Sequence, residues 1–442
     1  MKNFTLIIIC LISINSYSQK IKGKVFDLET KKPIEKAHIQ IGKTLIITDK
    51  KGYFSFKQNN KSDHKITISH IAYLTKEIAY GNKKAITIYL KPKAEFLEEV
   101  VVKGNKGKNK LVYEVLPQIP NKTYSFASVL YDDKILVFGG DKSYLVEGFK
   151  KVIQDRPGIS ILGAIDLARS YVSSYSYSNQ LCVFNLKTSK WIIEDITLRK
   201  RANHSAALVG NKIYLLGGKR LTKSKKREYL DEKIEVYDPI NKTIEIDNTN
   251  PHRAADLQTL VYKDKIYVLG GSVKKKDNGK KYYSNKFHSY NPKTGMWYLL
   301  AELPFSEETS SCIIEDVLYF FDGFDNNNNI NTIMSLNLAS GKLKAQGRLF
   351  YDFKQPAITK KEKTIFLFEN GKLLTFDTEA KEIKEYRIDL FLFASKIYVQ
   401  DNFLYILGGY LKTASEVFPQ NKFFKVDLRT LSKTKARKYI QL

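Results

Sequence analysis

The sequence predicts an all-β protein in two parts, a small antiparallel β-sandwich followed by a six-bladed β-propeller. Three observations carry that prediction. Between residues 20 and 103, apolar and polar residues alternate with period two, and turn signals separate the runs. From residue 111 onward one hairpin pattern returns six times, as in HSAALVGNKIYLLGG (204–218) and DLQTLVYKDKIYVLGG (256–271). Each copy is followed by a second hairpin, so that four strands recur about every fifty residues, the period of a propeller blade. An apolar content of 43%, with Tyr and Phe dominating the aromatics, is that of a folded, strand-rich chain.

The first segment, MKNFTLIIICLISINSYSQK, has one lysine, an apolar run from Phe4 to Ile14, and small residues at Ser16 and Ser18. It reads as a secretory signal over 1–18, cleaved after Ser18; the run is too short to span a bilayer. Cys10 follows Ile9, where a lipoprotein signal would carry a small residue, so no lipid anchor is expected. No later stretch is apolar enough for a membrane span. The mature chain is expected to be exported, and the absence of an appended sorting domain after the last blade favours the periplasm over the cell surface or the medium.

Residues 19–103 are assigned to the sandwich and 104–110, GNKGKNK, to a polar linker. Strands are read in GKVFDLETKKPIEKAHIQI, HKITISHIAYLTKEIAY and AITIYLKP, with TDKKGYF as a hairpin whose Gly52 takes positive φ. Gly23, Asp27, Pro33, Ala37, TDKKGYF, Tyr73 and the closing LEEVVVKG (97–104) resemble the carboxypeptidase regulatory-like domain of bacterial surface proteins. That resemblance implies an Ig/transthyretin-like spacer or docking module without peptidase chemistry. In the family the closing segment often leads into the plug of an outer-membrane receptor. Here no barrel follows, and Ala72 replaces the usual glycine before the aromatic.

Residues 111–442 are assigned to the propeller. The first hairpins are SFASVLYDDKILVFGG, the two quoted above, SSCIIEDVLYFFDG, QPAITKKEKTIFLFEN and SKIYVQDNFLYILGG. The second hairpins turn at Asn185, Asp238, Asn291, Asn337, Asp377 and Asp427, where an Asx side chain bonds the backbone ahead. Paired glycines after the second strand, an aromatic before the second turn, then Trp191 or Trp297 resemble the kelch family. The marks weaken later: Gly323 stands alone, Glu369-Asn370 replace the glycines of blade five, and the last three blades lack the tryptophan. A seventh blade would need Leu111–Pro120, which reads instead as an edge strand at ring closure. Cys182 and Cys312, three repeats apart, read as buried strand residues without a disulfide.

All long insertions follow the double-glycine position and so crowd one rim, where binding loops gather on a rigid scaffold. Blade one inserts Gly140–Gln180, with a helical period in LVEGFKKVIQ and a Tyr/Ser tract. The formal charge of +27 is mostly lysine, which argues for a solvated surface and against nucleic acid as partner. Lys223, Lys225, Lys226, Arg227, Lys274, Lys275 and Lys276 share these loops with Tyr171, Tyr175, Tyr177, Tyr282 and Tyr283. Lysines attract anions and aromatic rings stack on sugars, so a glycan (acidic in particular) or a protein is the expected partner, within an envelope complex or alone. A second constellation is expected at the mouth of the central channel. Arg201 and Arg253, read as equivalent, would clamp a carboxylate, or pair with acidic residues between blades, with Tyr124, His204 and Glu308 nearby.

No cofactor, metal or catalytic residue is assigned. The copper oxidases of this fold need ligands that His204, His252 and His288 do not supply, and no HExxH, CxxC, GxxxxGK[ST] or GxSxG is present. Two further readings stay open. One is a purely structural envelope protein. The other is a sugar epimerase or mutarotase of the periplasmic kelch type, acting on an acidic sugar with Arg201, Arg253, His204 and Glu308.

Overall fold

A computed structural model describes residues 20–28, 30–41, 44–57, 65–70, 73–79, 81, 85–91, 109–225, 227–275, 281–304, 308–321, 323–325 and 328–442. The expected leader, most of the expected linker, Lys226 and Lys276 lie outside the described residues. The chain divides into two compact units, Met1–Lys103 and Gly104–Leu442.

The first unit is a sandwich of two sheets. One orders Tyr53–Lys57, Lys20–Asp27 and Ala85–Leu90; the other orders Thr44–Ile47, His38–Ile41, Lys65–His70 and Tyr73–Ala79. The period-two positions Ile21, Val25, Ile39, Ile66, Ile68, Ile88 and Leu90 face inward and form the core. Two expectations are corrected. Lys20–Asp27 runs parallel to Ala85–Leu90, so the sandwich is mixed rather than antiparallel. TDKKGYF joins strands of different sheets and is a corner, not a hairpin. Alternation fixes which face is buried but not which neighbour a strand pairs with. The corner itself is local: Asp49 Oδ1 accepts from the Lys51 and Tyr53 amides at 2.9 and 2.8 Å, and Gly52 has φ +73°.

The second unit is a ring of six four-stranded blades. Their innermost strands are Ala127–Tyr131, Ala202–Val209, Gln258–Tyr262, Ser310–Ile314, Ala357–Lys361 and Lys396–Gln400. No blade hides its own apolar faces. Val129, Leu136 and Phe138 of blade one pack with Ile213, Leu215 and Tyr237 of blade two, and every other neighbouring pair shares a cluster of the same kind. Burying each face against the next blade is why the hairpin recurs.

Ring closure comes from the start of the propeller. Glu114–Val115 is the outermost strand of blade six, paired with Phe423–Asp427. Leu116 and Ile119 are buried beside it, and their amides donate to the carbonyls of Phe423 and Asn421, both at 2.9 Å. The expected sixth second hairpin is thereby corrected: Asp427 caps a 3-10 turn, Leu428–Lys433, because the fourth strand's place is taken. The chain then continues to Lys438–Gln441, a fifth strand on blade five. At Asn185, Asp238, Asn291, Asn337 and Asp377 the Asx oxygen accepts from amides two or three residues ahead, at 2.8–3.1 Å. Trp191 and Trp297 reach backwards, the indoles donating to Pro117 O of the closure segment and Thr249 Oγ1 of blade two. Cys182 and Cys312 are buried and free.

In blades one and two the second glycine of the pair ties its blade to the next. Gly140 and Gly218 donate to the carbonyls of Arg201 and Ala254 at 3.0 and 2.8 Å. Asn370, at φ +46°, donates to Leu392 O in the same place, which is how blade five does without the glycine. At Gly218, φ is +83°, and a Cβ would sit 2.6 Å from Ala202 O and 2.7 Å from His204 Cβ. Gly218→Ala is therefore expected to destabilise by about 2–4 kcal/mol in denaturant titration. Gly210→Ala, at φ +55° with open space around it, should cost only the left-handed penalty of about 1–2 kcal/mol.

Candidate functional site

The double-glycine end of the ring opens into a central cavity of about 540 Å³, lined by the innermost strands of all six blades. Two residues before each strand's first inward pairing, the chain presents one residue to the mouth. In ring order these are Ser125, Asn203, Asp256, Glu308, Gln355 and Ala394. Four of them stand in the left-handed region, with φ of 49–58°. The backbone links them, Asn203 N to Ser125 O at 2.7 Å and Asp256 N to Asn203 O at 2.8 Å.

A polar chain runs along this ring. Asn203 Nδ2 donates to Asp256 Oδ1 at 2.7 Å, the Lys281 ammonium pairs with Glu308 and lies 3.8 Å from Asp256, and Gln355 Nε2 donates to Glu308 Oε2 at 3.0 Å. Burial and the Asp256 charge push the Glu308 carboxyl up to about 7, against the pull of Lys281. Burial alone would lower Lys281, but Asp256 and Glu308 outweigh it and hold the ammonium above its ordinary value. Lys396 projects from the first position of the blade-six inner strand. Enclosure lowers its ammonium, offset in part by Asp256, and no ion pair to it is found among the described residues.

Tyrosines cluster beside this ring, with Tyr124 and Tyr177 buried. Tyr124 lies edge-on to Tyr410 at 5.1 Å, and Phe393 stacks on Tyr410 at 5.5 Å. Tyr177 donates to Glu228, which also pairs with Lys219 at 2.8 Å. Burial, then Asp141, raises the Tyr124 phenol; burial, then Glu228, raises Tyr177. Tyr283 is raised by burial and by Glu308. All four phenols are hydrogen-bond donors at neutral pH.

The structure thus brings together Tyr124, Tyr177, Tyr283 and Glu308. It separates the rest. Arg201 is 1% exposed and spent within its own blade, on Glu235, on Asp231 at 3.8 Å, and on the carbonyls of Gly217 and Lys233 at 3.2 and 3.1 Å. The carboxylate clamp is therefore corrected to an ion-pair network, which Arg199 extends through a two-point contact with Asp231 at 2.8 and 3.0 Å. Arg253 is not its equivalent. The matching left-handed residues Asn203 and Asp256 align Arg201 with Ala254, and Arg253 is an exposed partner of Glu232 at 3.2 Å. His204 occupies the inter-blade position of Phe126 and Leu257. Burial, then Arg201 and Lys396, holds its imidazole well below the usual value, in the neutral form. Tyr175 is exposed on the insertion, 47% accessible and outside the mouth.

Asp256, Lys281, Lys396 and Tyr410 escaped the sequence reading. Counting two residues back from each inner strand would have found Asp256. The others need the ring, because they belong to three separate stretches of chain. His252 and His288 form a separate buried pair, Nδ1 to Nδ1 at 2.9 Å.

The family model of the carboxypeptidase regulatory-like domain matches residues 21–102, and that of the Kelch motif matches 254–304. The kelch-like protein terF of Aspergillus terreus is 29% identical over 189 residues, 38% of this chain and 37% of that protein. Kelch-like protein 36 of Mus musculus is 26% identical over 150 residues, 34% of this chain and 23% of that protein. The matches thus span well under half the length of these curated relatives. The solved structure of YjhT superposes with a TM-score of 0.52 at 12% identity, covering 69% of this chain and 95% of that one, a likeness of fold. Domain match, repeat match and ring together make this chain a carboxypeptidase regulatory-like domain joined to a kelch-type β-propeller.

Proposed function

We propose that the protein is an exported binding protein whose propeller takes an acidic glycan at the double-glycine mouth of the channel. A kelch propeller is a binding scaffold; the glycan and the export are the proposal. The observation that carries it is the polar ring of Asn203, Asp256, Lys281, Glu308 and Gln355 at the channel mouth, together with Lys396, which lines the cavity and has no ion pair among the described residues. Amide, carboxyl and ammonium groups converging on one recess suit the hydroxyls and the carboxylate of an acidic sugar. A carboxyl titrating near neutrality is also what acid–base chemistry requires, which keeps a mutarotase as the second reading.

Saturation-transfer NMR on Gln19–Leu442 with neutral and acidic sugars tests both. Transfer to an acidic sugar is expected to fall at least about tenfold in Lys396→Met, the usual loss for an unpaired ionic contact, and to persist in Arg253→Ala. Faster exchange between anomers, abolished by Glu308→Gln, would establish the mutarotase. Silence across the panel would remove the glycan and leave a protein partner or a structural role.

A further inference from the structure

The blade-one insertion folds into two short helices, Gly148–Asp155 and Ile161–Ala168, standing on the double-glycine end. It is anchored on both sides. Leu145–Val146 pairs with Val417 and Glu416 of blade six, Lys151 meets Glu416 at 3.1 Å, and Tyr177 reaches Glu228 of blade two. Only Val152 and Ala164 are buried in the helices themselves. The outward faces are apolar: Phe149 and Ile153, one turn apart, are 44% and 42% exposed, and Ile161 and Leu162 are 70% and 76% exposed. A Cβ at Gly158, in the turn before them, would meet nothing within 4 Å, and the Ile161 and Leu162 side chains stand largely in water.

Charge selects the occupant. The insertion is nearly neutral, with five basic and four acidic side chains between Asp141 and Gln180. Beside it, Lys219–Lys233 of blade two holds seven basic against three acidic residues, and Lys223, Lys225, Arg227 and Tyr229 are exposed there. A second copy would bring two chains of charge +27 together at their basic ends, which like-charge repulsion opposes. An exposed apolar patch beside a loop carrying Lys223, Lys225, Arg227 and Tyr229 matches instead the boundary of an anionic bilayer. There the aliphatic groups enter the acyl region, the tyrosine lies at headgroup depth, and the lysines meet phosphates.

We infer that the double-glycine end docks on anionic lipid surfaces through Ile161 and Leu162, held by the basic loop of blade two with Lys223, Lys225 and Arg227. The test is co-sedimentation of Gln19–Leu442 with vesicles of phosphatidylglycerol and phosphatidylethanolamine, and with pure phosphatidylcholine. This chain keeps every described residue and omits the apolar run Phe4–Ile14, which would partition into lipid by itself. Binding to the anionic vesicles is expected, weakened at least about tenfold by raising salt from 0.1 to 0.5 M. Ile161→Asp/Leu162→Asp should lose about tenfold or more at unchanged melting temperature, since both side chains are already in water. Lys223→Glu/Arg227→Glu should lose anionic binding alone. No sedimentation with anionic vesicles, sedimentation indifferent to the Ile161/Leu162 change, or an Ile161-dependent dimer in solution would each overturn the inference. None of these outcomes bears on sugar binding at the channel mouth.

Discussion

Leu116→Asp/Ile119→Asp is expected to open the ring. Both side chains are buried where the closure segment lies along blade six, at 7% and 1% exposure. Burial of each is worth about 1.5–3 kcal/mol, and each new carboxylate would have to be dragged out of water or drag its backbone out of place. The Leu116 and Ile119 amides and the Trp191 indole, which holds Pro117 O at 2.8 Å, would lose their partners. The sum is about 5–10 kcal/mol, as large as the whole stability of an ordinary domain. Thermal unfolding should show a broad, early transition. Limited proteolysis should cut between Leu111 and Pro120 under conditions that leave the parent chain intact. An unchanged melting temperature would mean that blade six holds without its borrowed strand.

Arg201→Met is expected to cost about 3–5 kcal/mol, because it strips the buried Glu235 carboxylate of its guanidinium and leaves Asp231 with Arg199 alone. Asp231 and Glu235 are 1% and 2% exposed and share the guanidinium between them. Removing the carboxylate as well, in Arg201→Met/Glu235→Leu, should recover most of the loss, since a well-packed apolar pair can replace a buried ionic one. Arg253→Ala, by contrast, breaks an exposed pair and should cost less than about 1 kcal/mol. Guanidinium denaturation of the three variants decides the matter. The same network has an acid limit. Burial would raise the Asp231 carboxyl, but Arg199 and Arg201 outweigh it and hold it below its ordinary value. Its contribution is therefore complete above the ordinary carboxylate range and fades as pH falls through the depressed value.

Much of the fold is written locally and could be read. Alternation and Asx turns mark each strand pair, and six recurrences of one hairpin give six blades. Leu111–Pro120 is too short to be a blade and too apolar to be a loop, hence an edge. What escaped is set by distant partners. Lys20–Asp27 lies parallel to Ala85–Leu90 because of a crossover that no residue in either strand announces. Ile161–Ala168 went unread because ILGAIDLA is apolar on nearly every side, and a short apolar run has no period to betray a helix. Arg201 and Arg253 look equivalent by distance to His204 and Asp256, yet the true repeat mark is the left-handed pair Asn203 and Asp256, one residue out of step. That slip turned a buried structural arginine into an apparent ligand clamp. Tyr124 and Glu308 were found because they flank the inner-strand ends, Tyr177 and Tyr283 because they are aromatics on the long insertions; Lys281, Lys396 and Tyr410 join them only once the ring exists.

Closure through Glu114–Val115 also orders events in time. These are among the first propeller residues to leave the ribosome, and their partner strand, Phe423–Asp427, is among the last. Until Phe423–Asp427 is made, Glu114–Val115 has no strand to pair with, and the ring cannot close. The meeting of the two ends joins residues some three hundred positions apart, the kind of contact whose loop-closure cost slows folding. A stalled or truncated chain would keep Glu114–Val115 an unpaired edge, which can template pairing with its neighbours.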